Sequence, residues 1–308
     1  MLNIVKRRYI YFGISLLVIV PGLLALVIWG LPLGIDFTGG SLLDVRFESG
    51  NVPPSAEVIA LYTEFGFSDT LVQTSGQNSI VIRTKSMDEN TRTNIVSEME
   101  KRFGSQIVVQ SFESVGPSVG QEVATRAAGA VGLAAVGILA YITFAFRGVA
   151  NAFRYGVSAI VAMFHDVAVV VGIEAILGHF LGWEVDALFL TALLTVIGFS
   201  VHDSIVVFDR IRENATIYRR IPYEQVVNHS IVQTLDRSIN TQLTVMFTLL
   251  ALALFGGVTL RHFVVTLLVG VFSGTYSSIF NASPILVVWE NHEWRYWFKR
   301  GNGKESVA

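Results

Sequence analysis

Ala187-Leu-Phe-Leu-Thr-Ala-Leu-Leu-Thr-Val-Ile-Gly-Phe-Ser-Val-His-Asp-Ser-Ile-Val-Val-Phe208 is apolar for long enough to cross a bilayer, which takes about 20 residues, yet it carries a His-Asp pair near its end. A soluble core helix is rarely this long and this apolar. Outward from it, five more runs of the same kind lie at residues 9–31, 124–146, 155–177, 239–258 and 263–289. The last is the most polar, with Ser273, Thr275, Ser277, Ser278, Asn281 and Ser283 inside it. Over the whole chain 52% of residues are hydrophobic and 15% charged, with a formal net charge of −2 and no cysteine. Soluble proteins carry about 25% charged residues, so this balance belongs to the membrane class. It gives no basic field for nucleic acid, and without cysteine no thiolate metal site can form.

Short loops set the orientation, because Lys and Arg are retained on the cytoplasmic side. One side carries Lys6, Arg7 and Arg8, then Arg147 and Arg154, then Arg210, Arg212, Arg219, Arg220 and Arg237, and finally Arg295, Lys299, Arg300 and Lys304. The opposite loops offer Arg261 together with the acids Glu184 and Asp186. Both termini are therefore expected in the cytoplasm. The first run exceeds a signal-peptide h-region and lacks an A-x-A site, which points to an uncleaved anchor.

The predicted division is a cytoplasmic start and first span (1–33), an extracytoplasmic domain (34–122), a bundle of the other five spans (123–291) and a cytoplasmic tail (292–308). Residues 34–122 are too many and too patterned for a loop. Strand alternation at 41–48, helical spacing from Ser55 after Pro53-Pro54, strands at 70–74 and 79–84 about a Gly76-Gln77-Asn78 turn, a helix over 88–103 with Asp88 as N-cap and Gly104 as stop, and a strand from Gln106 to Phe112 give the order β-α-β-β-α-β. That is the ferredoxin-like split unit, with both helices on one face of the sheet. It holds no Cys or His and no nucleophile-base pair, so binding or mechanical coupling is expected of it rather than catalysis.

An ionisable side chain inside a span costs about 2.5–3.5 kcal/mol or more, so each one needs a reason. His165, Asp166, His202 and Asp203 stand out. Asp166 falls near the middle of the third span and Asp203 about two turns from the inner end of the fourth; Arg237 is expected to open the fifth at a depth Asp203 can reach. A movable Asp–Arg pair alternates between protonated and ionised states, the chemistry of an ion relay, whereas a fixed pair would only set packing. His165 and His202 are expected as packed neutral imidazoles. Neighbouring helix residues point about 100° apart, so neither His-Asp pair chelates a metal easily. Glu174 is read as reaching the outer interface. Gly270 and Gly274, one turn apart beside Ser277, Ser278 and Asn281, predict a close helix crossing with hydrogen bonds across it.

The string Thr195-Val-Ile-Gly-Phe-Ser-Val-His-Asp-Ser-Ile-Val-Val-Phe-Asp-Arg-Ile-Arg-Glu-Asn214 resembles the signature of the SecF family, membrane subunits of the bacterial Sec export machinery. So do Gly34-Ile-Asp-Phe-Thr-Gly-Gly40, Phe164-His-Asp-Val167, Arg237-Ser-Ile-Asn-Thr241, Phe255-Gly-Gly257 and Gly274-Thr-Tyr-Ser-Ser278. Within these strings Gly34, Asp36, Gly39, Gly40, Asp209 and Arg210 are the motif positions. The resemblance implies one half of a resistance-nodulation-division-like core completed by SecD. It also implies work with the SecYEG channel, YajC and SecA, and use of a proton or sodium gradient to move preproteins across the bacterial cytoplasmic membrane. It places the essential acid on Asp203 and its partner arginine on Arg237. His202 stands where relatives often have Asn, and Gln242 where a small hydroxyl residue is common, so both are expected to tune the ion chemistry, with Asp166 as a further relay acid.

No cofactor, metal or nucleic acid is expected. Half of a small-molecule exporter and a passive translocase scaffold remain the other readings. A hydrolase built on the two His-Asp pairs lacks any accompanying serine nucleophile motif or H-E-x-x-H helix.

Overall fold

The computed structural model describes residues 2–75, 78–149 and 151–297. Residues 76 and 77 of the expected turn and residues 298–308 of the expected tail lie outside the described residues. In chain order, a turn of 3-10 helix (Val5–Arg7) leads into α1 (Arg8–Trp29), and a short α2 (Ile35–Thr38) precedes β1 (Gly40–Phe47), α3 (Ser55–Glu64), β2 (Leu71–Ser75), β3 (Ser79–Thr84), α4 (Glu89–Phe103) and β4 (Ile107–Val115). The long helices follow: α5 (Pro117–Ala145), α6 (Ala152–Leu181), α7 (Ala187–Ile217), α8 (Tyr223–Phe255) and α9 (Val258–Ser277). A π-helical segment (Ser278–Ala282) then joins α10 (Ser283–Glu290), and α11 (Trp294–Trp297) closes the described chain. Among the described residues six helices are long and apolar enough to cross a membrane. The chain divides into two compact units, Leu33–Gly129 and the described parts of Met1–Pro32 with Ala130–Ala308.

The smaller unit is a four-stranded antiparallel sheet in the order β2-β3-β1-β4. This is the expected split β-α-β arrangement, in which each helix crossover skips one strand. Alternation on β1 sends Leu43, Val45 and Phe47 into a core shared with Val58, Leu61, Tyr62, Ile95 and Met99 of the two helices. Asp88 caps α4 by accepting from Thr91 N at 3.3 Å, and Gly104 ends it in the left-handed region at φ 60°. The Gly-Gly pair has a steric reason. Gly39 and Gly40 have φ 74° and 134°, and a Cβ on them would lie 2.6 Å from Pro117 Cα and 2.8 Å from Thr84 O. Only glycine lets the chain turn from α2, which Gly34 starts and Asp36 occupies in its first turn, into β1 against the start of α5.

Asp44 lies on the other face of β1, and burial raises its pKa above 3.8. Its unfolded form therefore gives up the proton more readily, and above both pKa values the carboxylate works against folding. Asp44→Asn should raise the unfolding midpoint of this unit at pH 7. The gain should vanish as the pH falls below about 4, where Asp44 is protonated in both states; thermal scans at the two pH values check it.

In the larger unit, glycines decide how closely helices approach. A Cβ on Gly22 of α1 would lie 2.8 Å from Gly172 Cα of α6, so these backbones touch. On α9, Gly270 faces Val196 of α7, whose Cγ2 lies 2.0 Å from where a Cβ would be, and Gly274 faces Ser200 Cα at 3.3 Å. The expected close crossing on α9 is present. Where α1 begins and α10 ends, Arg8 binds Glu293 at 2.6 Å and Glu224 at 3.3 Å. Burial acts to raise the pKa of Glu293, but its bonds from Arg8, Tyr9 and Asn291 outweigh that and hold it below the usual range.

Two helices depart from the hydropathy reading. The fifth long helix, α8, has 33 residues, about 50 Å at 1.5 Å per residue, against a hydrocarbon core of about 30 Å. Hydropathy finds only its apolar half. The preceding half is helical because Val226, Val227, Ser230, Ile231, Thr234 and Ser238 make a buried stripe. Arg237 therefore sits in mid-helix rather than at its start. The sixth span is broken by the π segment just before Pro284. Proline has no N–H and crowds the carbonyl four residues back, so the ladder widens there; Ser283 Oγ donates to Ser278 O at 3.2 Å across the widened turn.

Candidate functional site

Asp166 is fully buried and Asp203 is 5% exposed. Asp166 sits inside a cage of hydroxyls from two other helices. Ser200 of α7 donates to its Oδ2 at 2.5 Å, Ser277 of α9 to Oδ2 at 2.6 Å, and Ser273 of α9 to Oδ1 at 2.6 Å. His165 Nδ1 lies 3.0 Å from Oδ1. Oδ2 thus accepts from two hydroxyls, and Oδ1 accepts from one with the imidazole nitrogen beside it. Charge-assisted hydrogen bonds of this kind are about twice as strong as neutral ones, which is how a carboxylate is tolerated among apolar helices.

One residue further along, Ser278 at the start of the π segment donates to Asp203 Oδ2. Adjacent serines therefore hold the two acids. Each serine also has a second acceptor: Ser277 Oγ is 3.2 Å from Gly274 O, and Ser278 Oγ is 3.1 Å from Thr275 O. When a carboxylate takes up a proton it needs fewer donors, and the released hydroxyl can turn to its backbone carbonyl without being left unpaired. Both hydroxyls lie where α9 changes to π geometry.

His165 extends the network to α1. Its Nε2 lies 3.0 Å from Ser15 Oγ, and Asn281 of the π segment donates to Ser15 Oγ at 2.8 Å, with its Oδ1 at 3.2 Å from the same oxygen. A neutral imidazole takes the chain of donors in one direction, Asn281 to Ser15 to Nε2. An imidazolium reverses it, with Ser15 donating to Asn281 Oδ1. His165 is thus packed, as expected, and hydrogen-bonded within the network around Asp166.

The other expected residues are placed differently. Arg237 is exposed on α8 and among the described residues makes no ion pair with Asp203. The α7–α8 register, set where Asn214 donates to Ser230 Oγ at 2.8 Å and Arg210 to Gln233 at 2.6 Å, puts Arg237 about level with Val207, about one turn from Asp203. His202 is exposed on this chain rather than packed. Gln242 is buried, level with Asp203, and its Oε1 has no protein hydrogen-bond partner, as is also true of Ser204 and Ser238 Oγ. Asp209 pairs with Arg212 at 2.5 Å and Arg210 with Glu213 at 2.6 Å, so these motif positions serve the exposed end of α7.

Ser15 and Ser200 were not legible as site residues, since a serine in an apolar helix is common and nothing local marks its target. Glu174 corrects the sequence reading. It is 2% exposed, buried within the bundle rather than extended from it, and its Oε1 lies 2.8 Å from His262 Nε2.

The family model described as protein export membrane protein SecD/SecF, C-terminal, matches residues 95–292, and that of the SecD/SecF GG motif matches residues 25–50. The protein translocase subunit SecF of Anaerolinea thermophila is 60% identical over 98% of both chains. The protein translocase subunit SecDF of Thermus thermophilus is 38% identical over 85% of this chain and 35% of its own length. A crystal structure of the translocon-associated membrane protein SecDF from Thermus superposes with a TM-score of 0.81 at 34% identity, covering 94% of this chain and 39% of that one.

Proposed function

The chain belongs to the SecD/SecF family of protein export membrane proteins, and we propose that it is a non-enzymatic, gradient-driven subunit that moves preproteins across the bacterial cytoplasmic membrane. The observation that carries this reading is the pair of buried acids, Asp166 and Asp203, held by the consecutive hydroxyls of Ser277 and Ser278 at a π segment. Two titratable groups at a point where helix geometry changes give an ion something to move. One charge crossing 100 mV contributes about 2.3 kcal/mol, enough to bias one conformational step per ion.

The partner in this reading is a SecD-like subunit, because the relative from Thermus thermophilus carries both names in one chain. On this chain the apolar faces of α5 and α8 stand uncovered, with Leu133, Phe144, Phe247 and Leu254 each more than 60% exposed. His202 and Arg237 are exposed as well, and a partner helix laid over them would bring Arg237 into a shared site with Asp203. The termini are placed in the cytoplasm, the outer domain of residues 34–122 is the moving part that meets preprotein or SecD, and SecYEG, YajC and SecA act with the complex.

Two measurements test this. The tagged chain should co-purify with a SecD-like subunit, and collapse of the ion gradient should slow preprotein release from membrane vesicles several-fold while ATP-driven insertion continues. Release that is indifferent to the gradient would leave a passive scaffold.

A further inference from the structure

We propose that Glu174 and His262 form a proton-accepting station at the end of the bundle opposite Arg8 and Glu293, from which protons pass inward to Asp166. The inference rests on the reading of Asp166 and Asp203 as the gradient-carrying acids.

Glu174 lies on α6 and His262 near the start of α9, the helices that also supply Asp166 and its serines. Their side chains are 3% and 16% exposed, and Glu174 Oε1 and His262 Nε2 are 2.8 Å apart without a well-angled hydrogen bond to each other or to any other described protein group. A buried carboxylate oxygen and a buried imidazole nitrogen that face each other with no well-formed hydrogen bond are a costly arrangement for packing alone. Trp183 and Phe189 close the imidazole in, with ring centroids 4.8 and 6.2 Å away. The other ionisable groups at this end are otherwise placed: Asp186 caps α7 through Phe189 N at 2.7 Å, His179 stacks on Trp29 at 4.2 Å, Arg261 is exposed, and Glu184 lies in the connecting loop.

The ligand chemistry is that of a proton. An imidazole nitrogen facing one carboxylate oxygen at 2.8 Å is a pair that can hold a single proton between them. A metal ion would need more donors, and among the described residues no three His, Asp or Glu side chains converge. The inward route follows one stripe of α9. His262, Thr266, Gly270, Ser273 and Ser277 recur every three or four residues, on one helix face, and the last four are buried. Ser273 and Ser277 donate to Asp166. On α6, Asp166 and Glu174 are eight residues apart, about 12 Å. Val196 fills the space at Gly270, so one apolar layer separates the two stations and keeps the path from leaking in this conformation.

The test uses the full chain with its partner in right-side-out vesicles, reading preprotein release against external pH from 5.5 to 8.5 at equal complex abundance. Glu174→Gln and His262→Gln should each cut gradient stimulation about fivefold or more and flatten the dependence on external pH, while Asp203→Asn abolishes stimulation at every pH. Wild-type stimulation and pH profile in both station variants, with Asp203→Asn inactive, would overturn the station and leave the relay standing. No stimulation in wild type would overturn the relay itself. Should the station variants fail to accumulate, wild type decides: a sodium gradient at matched pH that stimulates release as well as a proton gradient does would overturn the proposal, and indifference to sodium supports it.

Discussion

Asp203→Asn is expected to leave assembly with the partner intact and to remove the gradient-dependent part of preprotein release. Asn keeps the size and can still accept from Ser278, so the contact between α7 and the π segment survives. What disappears is the carboxylate, which the proposed relay requires. Release should then proceed at the same rate with and without a gradient, and ATP-driven translocation should persist. Asp203→Glu retains a carboxylate at longer reach and should keep partial stimulation. Arg237→Lys preserves charge but not the planar fork, and a partial defect is expected, with Arg237→Met as damaging as Asn at 203. The measurement is release from vesicles at equal complex abundance. Equal stimulation in wild type and Asp203→Asn would make Asp203 a packing residue.

Asp166→Asn should behave differently, because it breaks structure as well as chemistry. Four donors converge on Asp166. An Asn amide replaces one accepting oxygen by an NH2 that faces donors. Ser277 can turn to Gly274 O, but at least one of Ser200, Ser273 and His165 is left without an acceptor. A buried unpaired donor costs about 1–3 kcal/mol, so a loss of about 2 kcal/mol in stability is expected together with loss of gradient stimulation. Thermal unfolding of the detergent-solubilised complex checks it. An unchanged midpoint would show that the hydroxyls find other acceptors and that the cage does not order the crossing of α6, α7 and α9.

Much of the fold was legible because its causes are local. Six apolar runs of sufficient length announce six spans, and period-two alternation and caps such as Asp88 and Gly104 announce a small α+β unit. The acids were legible by the same logic, as departures from an apolar background. The errors came where one-dimensional hydropathy stands in for structure. It measures membrane solubility, not helicity, so it missed the polar first half of α8 and set Arg237 at a helix start. It also took Glu174 for an interfacial residue, since nothing near it in the chain names His262, 88 positions away.

The sequence by itself determined the class of this protein, its spans, the topology of the small domain and the presence of Asp166 and Asp203 inside the membrane, because each is a property of neighbouring residues and their periodicity. Tertiary structure alone decided what those acids do with their surroundings. Which of many serines meet Asp166 depends on how α6, α7 and α9 cross, and that is fixed by close contacts such as Gly22 on Gly172 and Gly270 on Val196. Ser15 and Ser200 joined the network, Arg237 stayed apart from Asp203, and Glu174 found His262 for the same reason. A helix crossing is a long-range packing result, in which a small shift in register would change every hydrogen-bond partner while leaving the hydropathy pattern unaltered.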